Sequence, residues 1–374
     1  MGNSLMSRNV PSEFGGATIH SFFSSGSWIE GAAEDQLKQT AVLPGMVQIA
    51  AFPDLHPGKD SPVGCAFMAD RVYPALVGSD IGCGMALFEL DLIKRRTKIN
   101  KAEIQLRKLG EPFDKSHAEA LESEGLSPDL WPSVLGTIGG GNHFCELQIC
   151  IDSVNGILDE NHINLLVHSG SRGLGDANFR QQPLAGLQAL SAADAMIYLK
   201  AHDEAIKWAK LNRRMIAQRA AMALRADLRL IVDNTHNLVT RRCDRFLHRK
   251  GAAVAGGLVP LAGSHSTESY LIDTSACPQE ALESCAHGSG RKFNRRSMHG
   301  RINAKKSSIE SLSRNSFGGR VICEDKALLI EEAPSAFKSS ADVLTDLTSA
   351  GIGERVATLQ PFITFKKTRE KSGK

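Results

Sequence analysis

Apolar positions recur along this chain in short runs broken by glycine, proline and aspartate, and the runs predict strands. VQIAAF (47–52), VGCAFM (63–68) and GMALFELDL (84–92) are each bounded by turn residues, as strands joined by tight loops should be. The pattern returns at INLLVHS (163–169), LRLIVD (228–233), SYLID (269–273) and VATLQPFITF (356–365). Between these runs the period lengthens. Residues 101–131, which include AEIQLRKLG, read as helical, with Gly110 and Pro112 as the stop signal. Residues 191–230 read as a long amphipathic helix or a pair. Trp208, Leu211, Met215 and Met222 form its apolar face, Arg213, Arg214 and Arg225 lie off that face, and Arg219 interrupts it. No repeat, linker or low-complexity tract divides the apolar segments. The expectation is an α+β fold, one mixed domain over 1–374 with its core at about 45–366 and flexible ends.

Composition narrows the class. With 374 residues, 42% hydrophobic and 23% charged, the chain has enough apolar side chain for a large core, which excludes disorder and a disulfide-built miniature. The net charge of +3 is too small to argue for a polyanionic partner, but its distribution is uneven. Seven of the sixteen residues in RKFNRRSMHGRINAKK (291–306) are Lys or Arg, and the tail KKTREKSGK is basic too. Taken alone, such a run is a solvated face. No stretch of about 18 apolar residues occurs and the start lacks a signal-peptide core, so a cytoplasmic protein away from the membrane is expected. The eight cysteines show no C-x-x-C pair, and most should be buried thiols.

Candidate chemistry sits in glycine-rich turns. Cys83 follows Asp80 in SDIGCGM, where a carboxylate and a thiolate can converge on one cation and the thiolate can bridge two. A lone D-x-x-C is equally a turn aspartate beside a buried thiol. Four histidines share comparable settings: His143 in GTIGGGNHFCE, His168 in LLVHSGSRGLG, His236 in IVDNTHN and His287 in SCAHGSGR. One such histidine would be a structural residue, but six donors of mixed N, S and O type point to a transition-metal centre assembled by the whole fold. GGGNHF, HSGSRGLG and HGSGR also offer backbone N–H groups that can cradle phosphate, with Arg172 or Arg291 adding a fork of donors. PGKDSP (57–62) is not a P-loop, since Pro53 and Asp60 occupy the places of its first Gly and its Ser or Thr.

Taken in order, PDLHPGK (53–59), VGSDIGCGM (77–85), GTIGGGNHFCE (136–146), HSGSRGLG (168–175), LNRRMI (211–216), NTHN (234–237), AGSHSTESY (262–270), HGSGR (287–291), EEAPSAFK (331–338) and PFITFK (361–366) resemble the RtcB family of RNA ligases. The resemblance runs over about residues 45–370. It implies a domain with a central metal-lined cleft, which uses GTP and two Mn²⁺ ions to join an RNA 3′-phosphate or 2′,3′-cyclic phosphate to a 5′-hydroxyl, as in RNA repair or tRNA splicing. Cys83 would bridge the metals, His143 and His168 would complete one site, and Asp80 and His236 the other. His287 matches the nucleophile that carries GMP. Asn142, His143, Phe144, Cys145, Glu146, His236, Asn237, Ala262, Gly263, Ser264, His265, Ser269, His287, Gly288, Ser289, Gly290 and Lys366 fall where the guanylate is held.

The chain departs from the family pattern in places. Ala262–Gly263–Ser264–His265 replaces Pro-Gly-Ser-Met, HGSGR replaces HGAGR, and Lys367 beside Lys366 leaves the terminal lysine to be assigned. These traits resemble a compact bacterial side branch, some of whose members are linked to release-factor-like proteins, while other relatives use an archease-type activator. Two rivals remain at this level. A metal-dependent phosphoesterase would open cyclic phosphate ends without ligating, but would not need His287. An RNA-binding factor with a decayed site would not keep all six donors.

Overall fold

The computed structural model describes residues 8–10, 16–111, 117–181, 186–302 and 306–367. Residues 1–7 and 11–15 and the tail beyond 367, both within ends expected to be flexible, lie outside that set, as do Pro112 and the end of the basic run near Ala304–Lys305. The fold is mixed α and β, as expected. One sheet has eight strands, in the order Leu258–Leu261, Ser269–Asp273, Glu354–Lys367, Phe144–Ser153, His162–Ser169, Gly84–Ile93 and Leu228–Thr235, with Arg320–Cys323 pairing parallel to Glu354–Lys367. A second sheet has six, in the order Arg8–Val10, Thr18–Ser21, Met46–His56, Val63–Ala69, Arg245–Lys250 and Asn237–Arg242. The central strands of the larger sheet are covered on both faces, which is why their sequences are almost continuously apolar. His162–Ser169 is buried at every position after the first.

One face of the larger sheet packs on a single 33-residue helix, Ala192–Leu224. Ser191 caps it, its Oγ accepting from Asp194 N at 3.2 Å, and Arg225 ends it in a left-handed conformation. Ile216, Ala217, Ala220 and Ala221 meet Ala86, Leu147, Leu165 and Val167 of the sheet. Trp208, Leu211 and Met215 bury against Val72, Ile81, Leu121 and Leu135 on the other side. Three expectations change here. Met222 is exposed, because the last turns bury the alanine face instead of continuing the Trp208 stripe. Arg213, expected off the apolar face, is fully buried, and Arg219 is buried too. Region 101–131 is less helical than expected: helix Ile99–Leu106 tightens into a 3₁₀ turn over Arg107–Gly110, at the expected stop, and beyond it the described residues form a helix only over Ala118–Ser123. The chain leaves the helix where Arg219 Nη2 donates to Leu109 O at 3.2 Å and Glu111 O at 2.7 Å.

Antiparallel pairing brings the beginnings of Gly84–Ile93 and Phe144–Ser153 to the same edge as the ends of His162–Ser169 and Leu228–Thr235. Gly84 pairs with both Ser169 and Thr235, and His168 pairs with both Met85 and Phe144. At that edge the chain crosses between sheets, His236 being the single residue between Leu228–Thr235 and Asn237–Arg242.

Candidate functional site

Because four strand ends coincide, the donors that are remote in sequence face one another. Cys83 Sγ lies 3.4 Å from His143 Nε2 and 3.3 Å from His168 Nε2. His168 Nε2 lies 3.4 Å from His236 Nε2, and Asp80 Oδ2 is 2.9 Å from His143 Nε2. Cys83, His143, His168 and His236 are all buried. Burial, and then the neighbouring histidines, hold His168 and His236 well below the usual imidazole range, so both keep a lone pair for a cation. Burial pushes the Cys83 thiol up and the Asp80 carboxylate raises it further. Burial also works against the Asp80 charge, but His143 overrides it and keeps that carboxyl low. Imidazole nitrogens, one thiol and one carboxylate converging without a bulky spacer fit a transition ion, which would take the thiol as thiolate.

The frame around this cluster is polar and buried. Arg213 reaches in from the long helix, donating from Nη1 to Gly82 O at 2.8 Å and to Ser169 O at 2.9 Å while its Nη2 pairs with Asp233 at 2.7 Å. It therefore ties the turn before Cys83 to the strand end after His168. Its neighbour Asn212 accepts from Gly136 N at 2.7 Å and donates to Thr137 O and Ser169 Oγ, which fixes the loop that leads to His143. Gly170 makes room for the ligand set: a Cβ there would lie 2.1 Å from Asp80 Oδ1. Arg172 is held at φ 58, a strained conformation for a non-glycine residue, and contributes to keeping Asp80 charged.

His287 stands beside the cluster, its ring centroid 4.4 Å from that of His236. Its Nδ1 is 2.7 Å from Oδ2 of Asp54, and its backbone N donates to the same oxygen at 3.2 Å. Asp54 is fully buried. Gly290, at φ 69, lets the chain pass: a Cβ would come within 2.2 Å of Asp54 O. His287 opens on a cavity of about 570 Å³, within the range of small-molecule sites, lined also by Asn142, Phe144, Glu146, Ala262–His265, Gly288–Gly290 and Lys366. On its wall Glu146 accepts from Gln148 and Thr364, and burial raises its carboxyl to about 7. Lys366 Nζ is 3.2 Å from Glu332 Oε2 and 3.3 Å from Gly141 O.

The remaining expected residues divide. Lys367 is turned outward toward Asp325, so of the two lysines only Lys366 lines the cavity. Cys145 points into the core between sheet and helix. Asn237 bridges Asp80 O and Gly251 N, and Ser269 Oγ accepts from Gly263 N, so both support loops from behind. Arg291 does not offer the expected phosphate fork: its donors go to Glu332, Glu331 O and Phe293 O. Sequence reasoning passed over Asp54 and Glu332 although both sit in quoted motifs, PDLHPGK and EEAPSAFK. Burial pushes the Glu332 carboxyl up, but Lys366, Arg291 and Arg295 outweigh it and hold it at about 2. Asp54 and Glu332 pair with residues more than 30 positions away, so no local spacing marks them.

Comparison with known proteins agrees with this geometry. The family described as tRNA-splicing ligase RtcB matches the chain over residues 36–123 and 114–367. An Escherichia coli protein named RNA-splicing ligase RtcB2 is 41% identical over 363 residues, covering 92% of this chain and 95% of that one. The tRNA-splicing ligases RtcB of Nanoarchaeum equitans and Archaeoglobus fulgidus are 26% and 27% identical, covering 92% and 89% of this chain and 94% and 90% of theirs. With the family matched over most of its length and its histidines and cysteine gathered at one sheet edge, the chain belongs to the RtcB family.

Proposed function

We propose that this protein is an RNA ligase that uses GTP and Mn²⁺ to join RNA 3′-phosphate or 2′,3′-cyclic phosphate ends to 5′-hydroxyl ends, with GMP carried on His287. The observation that carries the reading is the placement of His287: Nδ1 against a buried aspartate, ring on a nucleotide-sized cavity, and the donor cluster alongside. The negative charge of Asp54 beside Nδ1 favours hydrogen on that nitrogen, which leaves Nε2 its lone pair. Nε2 attacks the α-phosphorus of GTP, a P–N bond forms, and pyrophosphate leaves. Asp54 offsets the positive charge that develops on the ring. An oxygen of the RNA 3′-phosphate then takes the GMP, restoring neutral His287 and giving an anhydride with GMP as leaving group. The 5′-hydroxyl attacks that activated phosphorus and GMP departs.

Asp80, Cys83, His143, His168 and His236 are the residues that would hold the two Mn²⁺ ions, which when bound neutralise phosphoryl charge and activate water to open cyclic ends. Glu146 and Lys366 suit the polar edge of a guanine, and the 262–265 and 287–290 loops suit its phosphates and ribose. Exposed Arg295 and Arg296 on the cavity wall supply the positive charge an RNA backbone needs. A cytoplasmic setting belongs to this reading, as do partners such as an archease-type activator or a release-factor-like protein. Among the described residues no helix is long and apolar enough to cross a membrane.

The test is incubation with Mn²⁺ and α-labelled GTP, with ATP and a His287→Ala variant in parallel. Acid-labile, alkali-stable label from GTP alone, absent in the variant, is expected. Metal-bound protein that opens cyclic ends but never takes label would instead be a phosphoesterase.

A further inference from the structure

Beyond the cavity the protein carries an exposed aromatic surface whose neighbours are cations. Trp28, in the loop before helix Gly31–Ala41, leaves 40% of its surface open. The loop is anchored: Ser24 N donates to Asp346 Oδ1 at 3.2 Å, and Ser27 Oγ donates to the same carboxylate. Phe293 meets Trp28 edge to face, with ring centroids 6.2 Å apart, and itself lines the cavity. The Arg301 guanidinium lies 3.7 Å over the Phe293 ring, and Lys292 Nζ is 5.9 Å from Trp28. Trp28 is linked to the strand that carries Asp54 through one lysine. Lys338 Nζ sits 5.9 Å from its ring and donates to Pro53 O and Leu55 O, the residues on either side of Asp54.

A half-open indole alone needs no cover, but Trp28 stands against a second ring, Phe293, and the cations around the pair favour an occupant that is both planar and anionic. An unpaired nucleotide has that chemistry: a π-face to stack and a phosphate to neutralise. Glu30 and Glu332 line the neighbouring cavity and Asp346 holds the loop, but Lys292, Lys338 and the exposed Arg295, Arg296 and Arg301 leave the balance positive. We propose that Trp28 and Phe293 form a stacking shelf for an unpaired base of the substrate RNA next to the reacting end, with Lys292 and Arg301 beside its phosphates. This rests on the RNA-ligase reading and adds to it a requirement for a single-stranded end.

The test measures equilibrium binding of short single-stranded RNA by fluorescence anisotropy. One oligonucleotide carries a 3′-phosphate and one a 5′-hydroxyl, each made with a normal or an abasic terminal nucleotide. Wild-type protein should bind the normal oligonucleotide about 5- to 100-fold more tightly than its abasic partner for the strand whose end lies on the shelf. Trp28→Ala should lose that advantage, binding the normal and abasic forms alike, while Trp28→Tyr should keep most of it. A Trp28→Ala variant that weakens normal and abasic RNA equally, or weakens neither, would overturn the shelf, as would indole fluorescence that responds to an acidic peptide but not to RNA. Wild-type protein that binds neither strand would overturn the ligase reading instead.

Discussion

Replacing Asp54 by Asn tests the central chemical claim with the smallest change of shape. The carboxylate is fully buried and lies 2.7 Å from His287 Nδ1. A pair of unit charges at that distance, at an effective dielectric of about 20, interact by about 6 kcal/mol. Roughly half a charge on the ring in the transition state makes the lost stabilisation about 3 kcal/mol. That loss should slow guanylylation by about 10²-fold. The assay is single-turnover labelling with α-labelled GTP at saturating Mn²⁺, with the Mn²⁺ midpoint and thermal melting measured in parallel. A rate within threefold of wild type, in a protein that melts normally, would refute the argument that the Asp54 charge stabilises the ring during transfer.

Gly170→Ala should weaken Mn²⁺ binding while leaving the sheets intact, because the new methyl would displace Asp80; titration calorimetry checks it, and unchanged affinity would contradict the assignment of Asp80. Arg213→Met should lower stability by about 3–5 kcal/mol through the unpaired Asp233 and the loss of bonds to Gly82 and Ser169, as read from denaturant midpoints. Glu146 has a folded pKa of about 7 against an ordinary 4.5, so the folded state holds the extra proton and stability falls as pH rises from about 4.5 to 7. Glu146→Gln should flatten the metal-free stability profile across that window by up to about 3 kcal/mol, measured by chemical denaturation at each pH.

The strands were legible because burial on both faces writes itself as uninterrupted apolar sequence, and His162–Ser169 is the clearest case. The donor set was legible because glycine turns around Asp80, Cys83, His143 and His168 leave no other obvious use for those side chains. Arg213 was misread because hydrophobic periodicity treats a charged residue as solvent-facing. Its burial depends on two carbonyls and an aspartate supplied by three other segments. Asp54 was missed for a related reason. It sits within an apolar strand, and its partner His287 is 233 positions away, so only the packed sheets reveal the pair. The helix that opens region 101–131 ends by Gly110, where the sequence places its stop, and Arg219 from the long helix takes up the carbonyls of Leu109 and Glu111 there.

That His236 alone separates strands of two different sheets has a consequence for how the protein comes into being. The donors stretch from Asp80 to His236, His287 follows later, and Lys366 arrives on the final strand of the larger sheet. A growing chain passes through synthesis without any stretch that could rehearse the chemistry. Neither an interrupted product nor a fragment from one sheet would hold a reactive histidine beside its aspartate. Such debris would be silent rather than promiscuous toward broken RNA. Under the proposed function, joining activity would report that the chain through Lys366 has been made and both sheets folded.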